Sequence, residues 1–260
     1  MNSIGLIVST YNWPAALDRV LASIVGQTVL PGEVLVADDG SGPDTTALVA
    51  AWAARTSIPI IHVWQEDQGF RVARARNRAL ARASSDYLIF LDGDQVLDRH
   101  FVADHRRAAR PGVVLRGSRS FLSPERTATV LATGKLPSWW QSGIRKRAAA
   151  MRLPWLAALL GSWRARHTEG HNIACWRADA VRINGFEERF EGWGGEDSEF
   201  VLRLLHAGLS KRRLRFGGVL YHLDHPPAAR NLQRRNDGIY DETVSDSRIR
   251  AVVGLDQLGA

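Results

Sequence analysis

A single cysteine, Cys175, stands among 260 residues. It excludes an internal disulfide and fits a reducing compartment. Long apolar runs are missing as well. The longest nearly uninterrupted one, Leu153 to Trp163, falls short of the roughly 20 residues that span a bilayer. The chain starts at once on strand-like Ile4-Gly5-Leu6-Ile7-Val8, so no signal peptide is expected and the reading is cytoplasmic. Neither G-x-G-x-x-G nor a Walker loop occurs, which argues against dinucleotide and P-loop chemistry. No zinc-finger spacing or RNA-recognition signature appears, so nucleic acid is not an expected partner. Acids are scarce in one stretch: Arg99 to Arg166 holds 14 Lys/Arg against Asp104 and Glu125, within a chain of net charge +7. Such a block suits an anionic membrane or a phosphorylated acceptor, or is simply a solvated basic face.

What is present is organised around Asp86-Tyr87-Leu88-Ile89-Phe90-Leu91-Asp92-Gly93-Asp94. Its apolar run reads as a strand buried on both faces. It ends in two carboxylates separated by a residue without a Cβ. Ligands of open α/β sheets sit at strand carboxyl ends, and paired carboxylates there suit a hard divalent cation. A plain Asp-Gly turn is the structural alternative.

The preceding residues alternate strands with helices. Ile4 to Val8 is followed by Ser9-Thr10-Tyr11-Asn12, and Asn12 or Trp13 caps a helix opening at Pro14. Leu17, Val20, Leu21, Ile24 and Val25 recur at helical period. Glu33 to Ala37, Ile60 to Val63 and the Tyr87 run are further strands, with helices from about Thr45 to Ala54 and ending near Ala83. Four strands and their helices predict a doubly wound, mostly parallel α/β sheet. Polar residues gather at strand ends, at Thr10 and Tyr11, Asp38 and Asp39, and Asp92 and Asp94, as a nucleotide site requires.

Val8-Ser9-Thr10-Tyr11-Asn12, Asp38-Asp39-Gly40-Ser41, Gln68-Gly69 through Ala75-Arg76-Asn77, and Asp92-Gly93-Asp94 together resemble the nucleotide-sugar half of family-2 glycosyltransferases with the GT-A fold. Gly69-Phe70-Arg71 with Ala75-Arg76-Asn77 is closest to bacterial capsule and lipopolysaccharide enzymes, including chondroitin-polymerase-like modules. By that resemblance Tyr11 and Asp39 contact the nucleobase of a UDP-sugar, and Thr10, Arg71 and Arg76 belong to the nucleotide-sugar site. Asp92 binds ribose or metal, and Asp94 binds the Mn2+ or Mg2+ that bridges the diphosphate.

From Phe101 to His167 the pattern loosens, with Val113 to Leu115 as one further strand. Trp139, Trp140, Trp155 and Trp163 among basic residues suit peripheral contact with an anionic membrane, or a helical insertion packing its Trp side chains onto the sheet. Order returns at Glu169-Gly170-His171-Asn172-Ile173, and then at Trp193-Gly194-Gly195-Glu196-Asp197. The glycines let backbone approach a ligand, and Trp193 offers a flat face to a sugar. Glu196 and Asp197 open a helix whose positive end favours ionised carboxylates, which a general base requires. Ordinary acidic capping is the structural alternative.

The segment resembles the acceptor motif of animal galactosyltransferases and the chondroitin-polymerase group. That resemblance implies an inverting mechanism with Asp197 as base, and acceptor contacts at Trp193, Gly194, Gly195 and Glu196. Adjacent helical positions point about 100° apart, so Glu196 and Asp197 are expected to divide their roles. In the related enzymes a histidine completes the metal site. Tyr221-His222 is the better match, His225 the rival, and Asp224 orients either ring.

The expected layout is one GT-A domain: a donor half over 1–98, a basic insertion over 99–168, an acceptor half over 169–226, and an unassigned tail over 227–260. The expected acceptor is a bacterial surface glycan, free or lipid-linked, and the expected location is cytoplasmic and peripheral on the inner face of the membrane. A sugar-nucleotide pyrophosphorylase is the alternative enzyme, but Ser-Thr-Tyr-Asn stands where its Gly-rich loop would be. A non-catalytic nucleotide-sugar or tethering module is the other, opposed by the intact acidic motifs and His222.

Overall fold

β1 (Ile4–Thr10) and β4 (Tyr87–Asp92) form the centre of the sheet, paired in parallel with Val8 beside Leu91 and Ser9 beside Asp92. Their side chains alternate between two cores. Leu6, Val8, Ile89 and Leu91 face one core with Leu17, Val20, Leu21 and Ile24 of α1 (Pro14–Val25). Ile7, Leu88 and Phe90 face the other, against Ala73, Ala79 and Leu80 of α3 (Val72–Arg82). Helices on both faces explain why these strands are continuously apolar. The computed structural model describes residues 3–153 and 172–258.

β2 (Glu33–Asp38) and β3 (Ile60–Trp64) extend the sheet on one side, with α2 (Pro43–Ala53) between them. On the other side lie β9 (Ile173–Trp176), β6 (Val113–Arg116) and β10 (Ser210–Arg213), giving the order β10-β6-β9-β4-β1-β2-β3. Only β9 is antiparallel to its neighbours, so six of the seven strands open their carboxyl ends on one edge. The mostly parallel α/β expectation holds.

A smaller sheet stands beside that edge, built from β5 (Gln95–Leu97), β11 (Leu220–His222), β7 (Ser120–Leu122) and β8 (Ile144–Arg145), in that order. α4 (Phe101–Ala108) and α5 (Pro124–Thr133) lie within the basic stretch, which carries regular elements among its described residues. Trp139 and Trp140 in it are exposed and do not pack onto the sheet. Trp155, Trp163 and residues 169–171 lie outside the described residues.

Past β9 come α6 (Arg177–Arg182), α7 (Glu196–His206) and α8 (Gln233–Ser245). Arg203 and Glu199 of α7 form a fully buried ion pair at 2.7 Å, and Arg203 also donates to the Ile183 and Gly185 carbonyls. Thr243 of α8 donates to Glu199, so the tail is part of the fold rather than an appendage. Asn12 does not cap α1. Its side-chain oxygen Oδ1 accepts from Gly42 N–H at 3.0 Å and its backbone N–H donates to the Ser41 hydroxyl, tying together the loops after β1 and β2.

Candidate active site

Gly93 sets the geometry of the acidic turn after β4. Its N–H donates to the Ser9 carbonyl at 2.6 Å, and a Cβ there would lie 2.7 Å from that oxygen, so any side chain would push the turn off β1. Asp92 and Asp94 thus leave the strand in opposed directions. Asp94 points toward the second sheet, where His222 ends β11 and His225 follows on the loop. Their Nε2 atoms lie 3.5 Å and 3.1 Å from the same Asp94 Oδ2. The imidazoles stack with centroids 5.1 Å apart. Both histidines reach the same carboxylate, so this geometry does not choose between them. Asp224 donates its backbone N–H to Thr127, and His225 Nδ1 pairs with the Pro226 carbonyl. The hydrogen bond to Asp94 lifts His225 to about 9, whereas burial pushes His222 down.

Asp94, His222 and His225 place three ligand atoms within 4.8 Å of one another. Asp94 Oδ1 is buried without a hydrogen-bond partner, a costly state that a cation would relieve. A carboxylate with two imidazoles fits a divalent ion, and the imidazoles favour Mn2+ over Mg2+, which prefers an all-oxygen shell.

Asp92 turns the other way, to Arg76. That guanidinium, 3% exposed, is the hub of the site. Nη2 donates to Asp92 at 3.0 Å, Nε to Ser9 at 2.9 Å, and Nη1 to Asp197 at 2.7 Å and Glu196 at 3.4 Å. The expected division between Glu196 and Asp197 is therefore incomplete: both carboxylates meet one nitrogen, because the first helical turn presents its whole end to Arg76. Burial raises Glu196 to about 7, helped by the Asp197 charge, and raises Asp92 to about 6. Arg76 itself is driven upward by the three carboxylates despite burial. Asn77, the next residue on α3, exchanges hydrogen bonds with Phe186 and donates to Glu188, tying the same helix to the acceptor half.

At the β2 end, Asp39 accepts from Arg71 N–H at 2.7 Å and from Gln65 at 2.6 Å, and burial raises its carboxyl. Arg71 sends its guanidinium to the Glu66 carbonyl. Thr10 is buried beneath, and Tyr11, 49% exposed, donates its hydroxyl to Asp67. Across the cleft, Gly194 and Gly195 take φ of +97° and +102°, and a Cβ on Gly195 would meet Phe190 at 2.6 Å. Trp193 is half-exposed beneath the Arg230 guanidinium, 4.3 Å from its ring centre.

Sequence reasoning missed Asn236. Its side-chain amide donates to the Glu191 and Gly194 carbonyls at 3.0 and 2.9 Å, clamping the glycine loop. Its only signal was an asparagine in a polar tail. Gln65 and Gln95, which orient Asp39 and Asp92, carried no motif at all.

The family model for glycosyl transferase family 2 matches residues 6–168, and the model described as the N-terminal domain of galactosyltransferase matches residues 163–226. The chain is 32% identical over 234 residues to validoxylamine A glucosyltransferase of Streptomyces hygroscopicus subsp. limoneus, covering 79% of this chain and 48% of that one. It is 28% identical to chondroitin synthase of Pasteurella multocida, covering 90% of this chain and 26% of that one. The chain thus spans half or less of the length of these relatives. A mannosyltransferase from Pyrobaculum calidifontis, solved with GDP-Man and Mn2+, superposes with a TM-score of 0.62 at 21% identity, over 97% of this chain and 65% of that one. S. aureus TarS residues 1–349 in complex with UDP superposes at 0.63 and 17%, over 98% and 68%. Motifs, sheet order and family models agree: the chain belongs to glycosyltransferase family 2 and has the GT-A fold.

Proposed function

We propose that the protein is an inverting, metal-dependent glycosyltransferase that moves a sugar from a nucleotide-sugar, a UDP-sugar in this reading, to a hydroxyl of a bacterial surface glycan. The observation that carries it is the meeting of two constellations at one sheet edge. Asp94, His222 and His225 form a ligand cluster, and Asp92, two residues before Asp94, converges with Glu196 and Asp197 on Arg76.

The donor lies across the ends of β1, β2 and β4. Asp39 accepts the nucleobase imide N–H, and Tyr11 packs beside the base. Asp94, His222 and His225 hold Mn2+ or Mg2+, whose charge, when bound, stabilises the departing diphosphate. Trp193 and the Gly194-Gly195 backbone seat the acceptor sugar, with Arg230 displaced from the indole. Asp197 removes the proton from the acceptor hydroxyl, which attacks the anomeric carbon opposite the leaving group, so configuration inverts. Glu196 contacts the acceptor, and Arg76 positions both carboxylates.

Exposed Trp139 and Trp140, beside Lys135 and Arg145, support peripheral contact with the anionic inner face of the cytoplasmic membrane and a lipid-carried acceptor. Among the described residues no helix is long and apolar enough to cross a membrane. Likeness to a validoxylamine A glucosyltransferase favours a second reading, in which the acceptor is a small hydroxylated molecule.

The test is a donor screen with Mn2+, following thermal stabilisation and nucleotide release for each nucleotide-sugar against glycan and small-molecule acceptors. A UDP-sugar should stabilise the protein and release UDP. Absence of any response across the panel would end the transferase reading.

A further inference from the structure

We propose that Asp67 is the positioning residue of the nucleobase slot: by accepting the Tyr11 hydroxyl it holds that ring in place for the base of a nucleoside diphosphate. This rests on the transfer reading above, in which Tyr11 packs beside the base.

Two glycines put Asp67 in reach. Gly40, after β2, takes φ of +99°, and a Cβ there would lie 2.5 Å from the Asp67 Cα. Only a bare backbone lets the loop after β3 lie so closely against the end of β2. Gly69, with φ of +83°, donates its N–H to Asp67 Oδ1 at 3.1 Å. A bond from an aspartate side chain to the backbone two residues on fixes the direction of the carboxylate. Oδ2 is then presented to the loop after β1, where the Tyr11 hydroxyl donates to it at 2.9 Å.

The same loop holds the other base contact. Gln65 and the Arg71 N–H donate to Asp39 at 2.6 and 2.7 Å. Residues 65–71 therefore orient both side chains that the reading gives to the base, Asp39 directly and Tyr11 through Asp67. Asp39 is buried, but Tyr11 is half-exposed, and an exposed ring must lose rotamer freedom when a base stacks on it. A ring already held by a hydrogen bond loses less, which is the gain of preorganisation. The bond also raises the Tyr11 phenol above its ordinary value, because Asp67 favours the protonated form.

Charge separates this role from direct contact with the donor. A nucleoside diphosphate is an anion, and a carboxylate beside its site repels it. Burial raises the Asp39 carboxyl, and the Asp67 charge adds to that rise, so Asp67 is close enough to act on the slot. Both of its oxygens are taken by protein donors. A carboxylate so placed orients Tyr11 and gives the ligand nothing of its own.

The experiment is calorimetric titration of Mn2+-saturated protein with UDP and GDP, the tighter of the two serving as the nucleotide probe. Inorganic pyrophosphate, which has the diphosphate and no base, is titrated in parallel. The variants are Asp67→Ala, Asp67→Asn, Tyr11→Phe, and Asp67→Ala combined with Tyr11→Phe. Both side chains are exposed, so each variant should fold.

Asp67→Ala and Tyr11→Phe should each weaken nucleotide binding by about three- to tenfold, the scale of one hydrogen bond, and the double variant should be no weaker than either. Pyrophosphate affinity should not fall, because that probe does not reach Tyr11. Asp67→Asn should restore nucleotide binding: its carbonyl accepts from Gly69, its amide donates to the phenol oxygen, and one repelling charge is gone. Unchanged or tighter nucleotide binding in Asp67→Ala, additive losses in the double variant, or an equal loss for pyrophosphate would overturn the proposal. Failure of the native protein to bind either nucleotide with Mn2+ would instead strike the transfer reading and the assignment with it.

Discussion

Arg76→Met tests whether one buried cation holds the two halves of the site together. Methionine keeps most of the stem but removes the charge that Asp92, Glu196 and Asp197 share at 2.7 to 3.4 Å. Removing one partner of a buried ion pair costs about 3–5 kcal/mol. Asp92 and Glu196 already lie near 6 and 7 with Arg76 in place, so its loss drives them higher. A carboxyl whose folded pKa exceeds its unfolded value of about 4 stabilises the fold most below that value, and loses the contribution as pH rises through the folded pKa. The gap between native and variant protein should therefore widen with pH. In urea unfolding of metal-free protein with chelator present, we expect about 3–5 kcal/mol at pH 8. At pH 5 Asp92 and Glu196 fold protonated, so the gap should shrink toward the about 1–2 kcal/mol of the lost hydrogen bonds and packing. A gap below about 1 kcal/mol at pH 8, or equal gaps at both pH values, would refute the hub.

Asp197→Asn should lower kcat by about 10²–10⁴ with donor affinity intact, while Glu196→Gln should act mainly on acceptor KM; the opposite pattern in steady-state kinetics would exchange their roles. Excess chelator should abolish transfer and Mn2+ should restore it. Asp94→Ala should stay folded but inactive, and His222→Ala and His225→Ala should each weaken Mn2+ binding by calorimetry, His222→Ala the more because a strand fixes its direction. His105 is fully buried, and burial pushes it down to about 4 against the neighbouring Asp104 charge. A depressed pKa means stability is whole above about 6.5 and lost as pH falls toward 4, by about 3 kcal/mol at about 1.4 kcal/mol per unit, so His105→Leu should flatten that acid slope in thermal unfolding. The exposed Trp139 and Trp140 beside the basic block should give binding to anionic liposomes that salt weakens, since charges are screened beyond about 10 Å at 0.1 M; equal partition to neutral liposomes would count against it.

The central strands were legible because burial on both faces leaves a run of apolar residues that almost nothing else produces, and because polar residues then stand at strand ends in β1, β2 and β4. The second sheet was not: strands of two or three residues such as Ile144–Arg145 and Ser120–Leu122 are too short to show alternation. The same limit hid the site's wiring. The Ala75-Arg76-Asn77 motif marks Arg76 only as a nucleotide-sugar contact, yet its carboxylate partners lie 16, 120 and 121 positions away. Asn236 clamps carbonyls more than 40 residues upstream. The histidine choice shows the physical reason most clearly. A strand fixes the direction of His222, so local reasoning reached it, whereas His225 arrives on a Pro-flanked loop whose path depends on Pro226 accepting from its ring and on Trp13 packing against its edge. Residues whose direction is set by their own backbone can be inferred locally. Residues whose direction is set by a distant partner require the topology that brings that partner near.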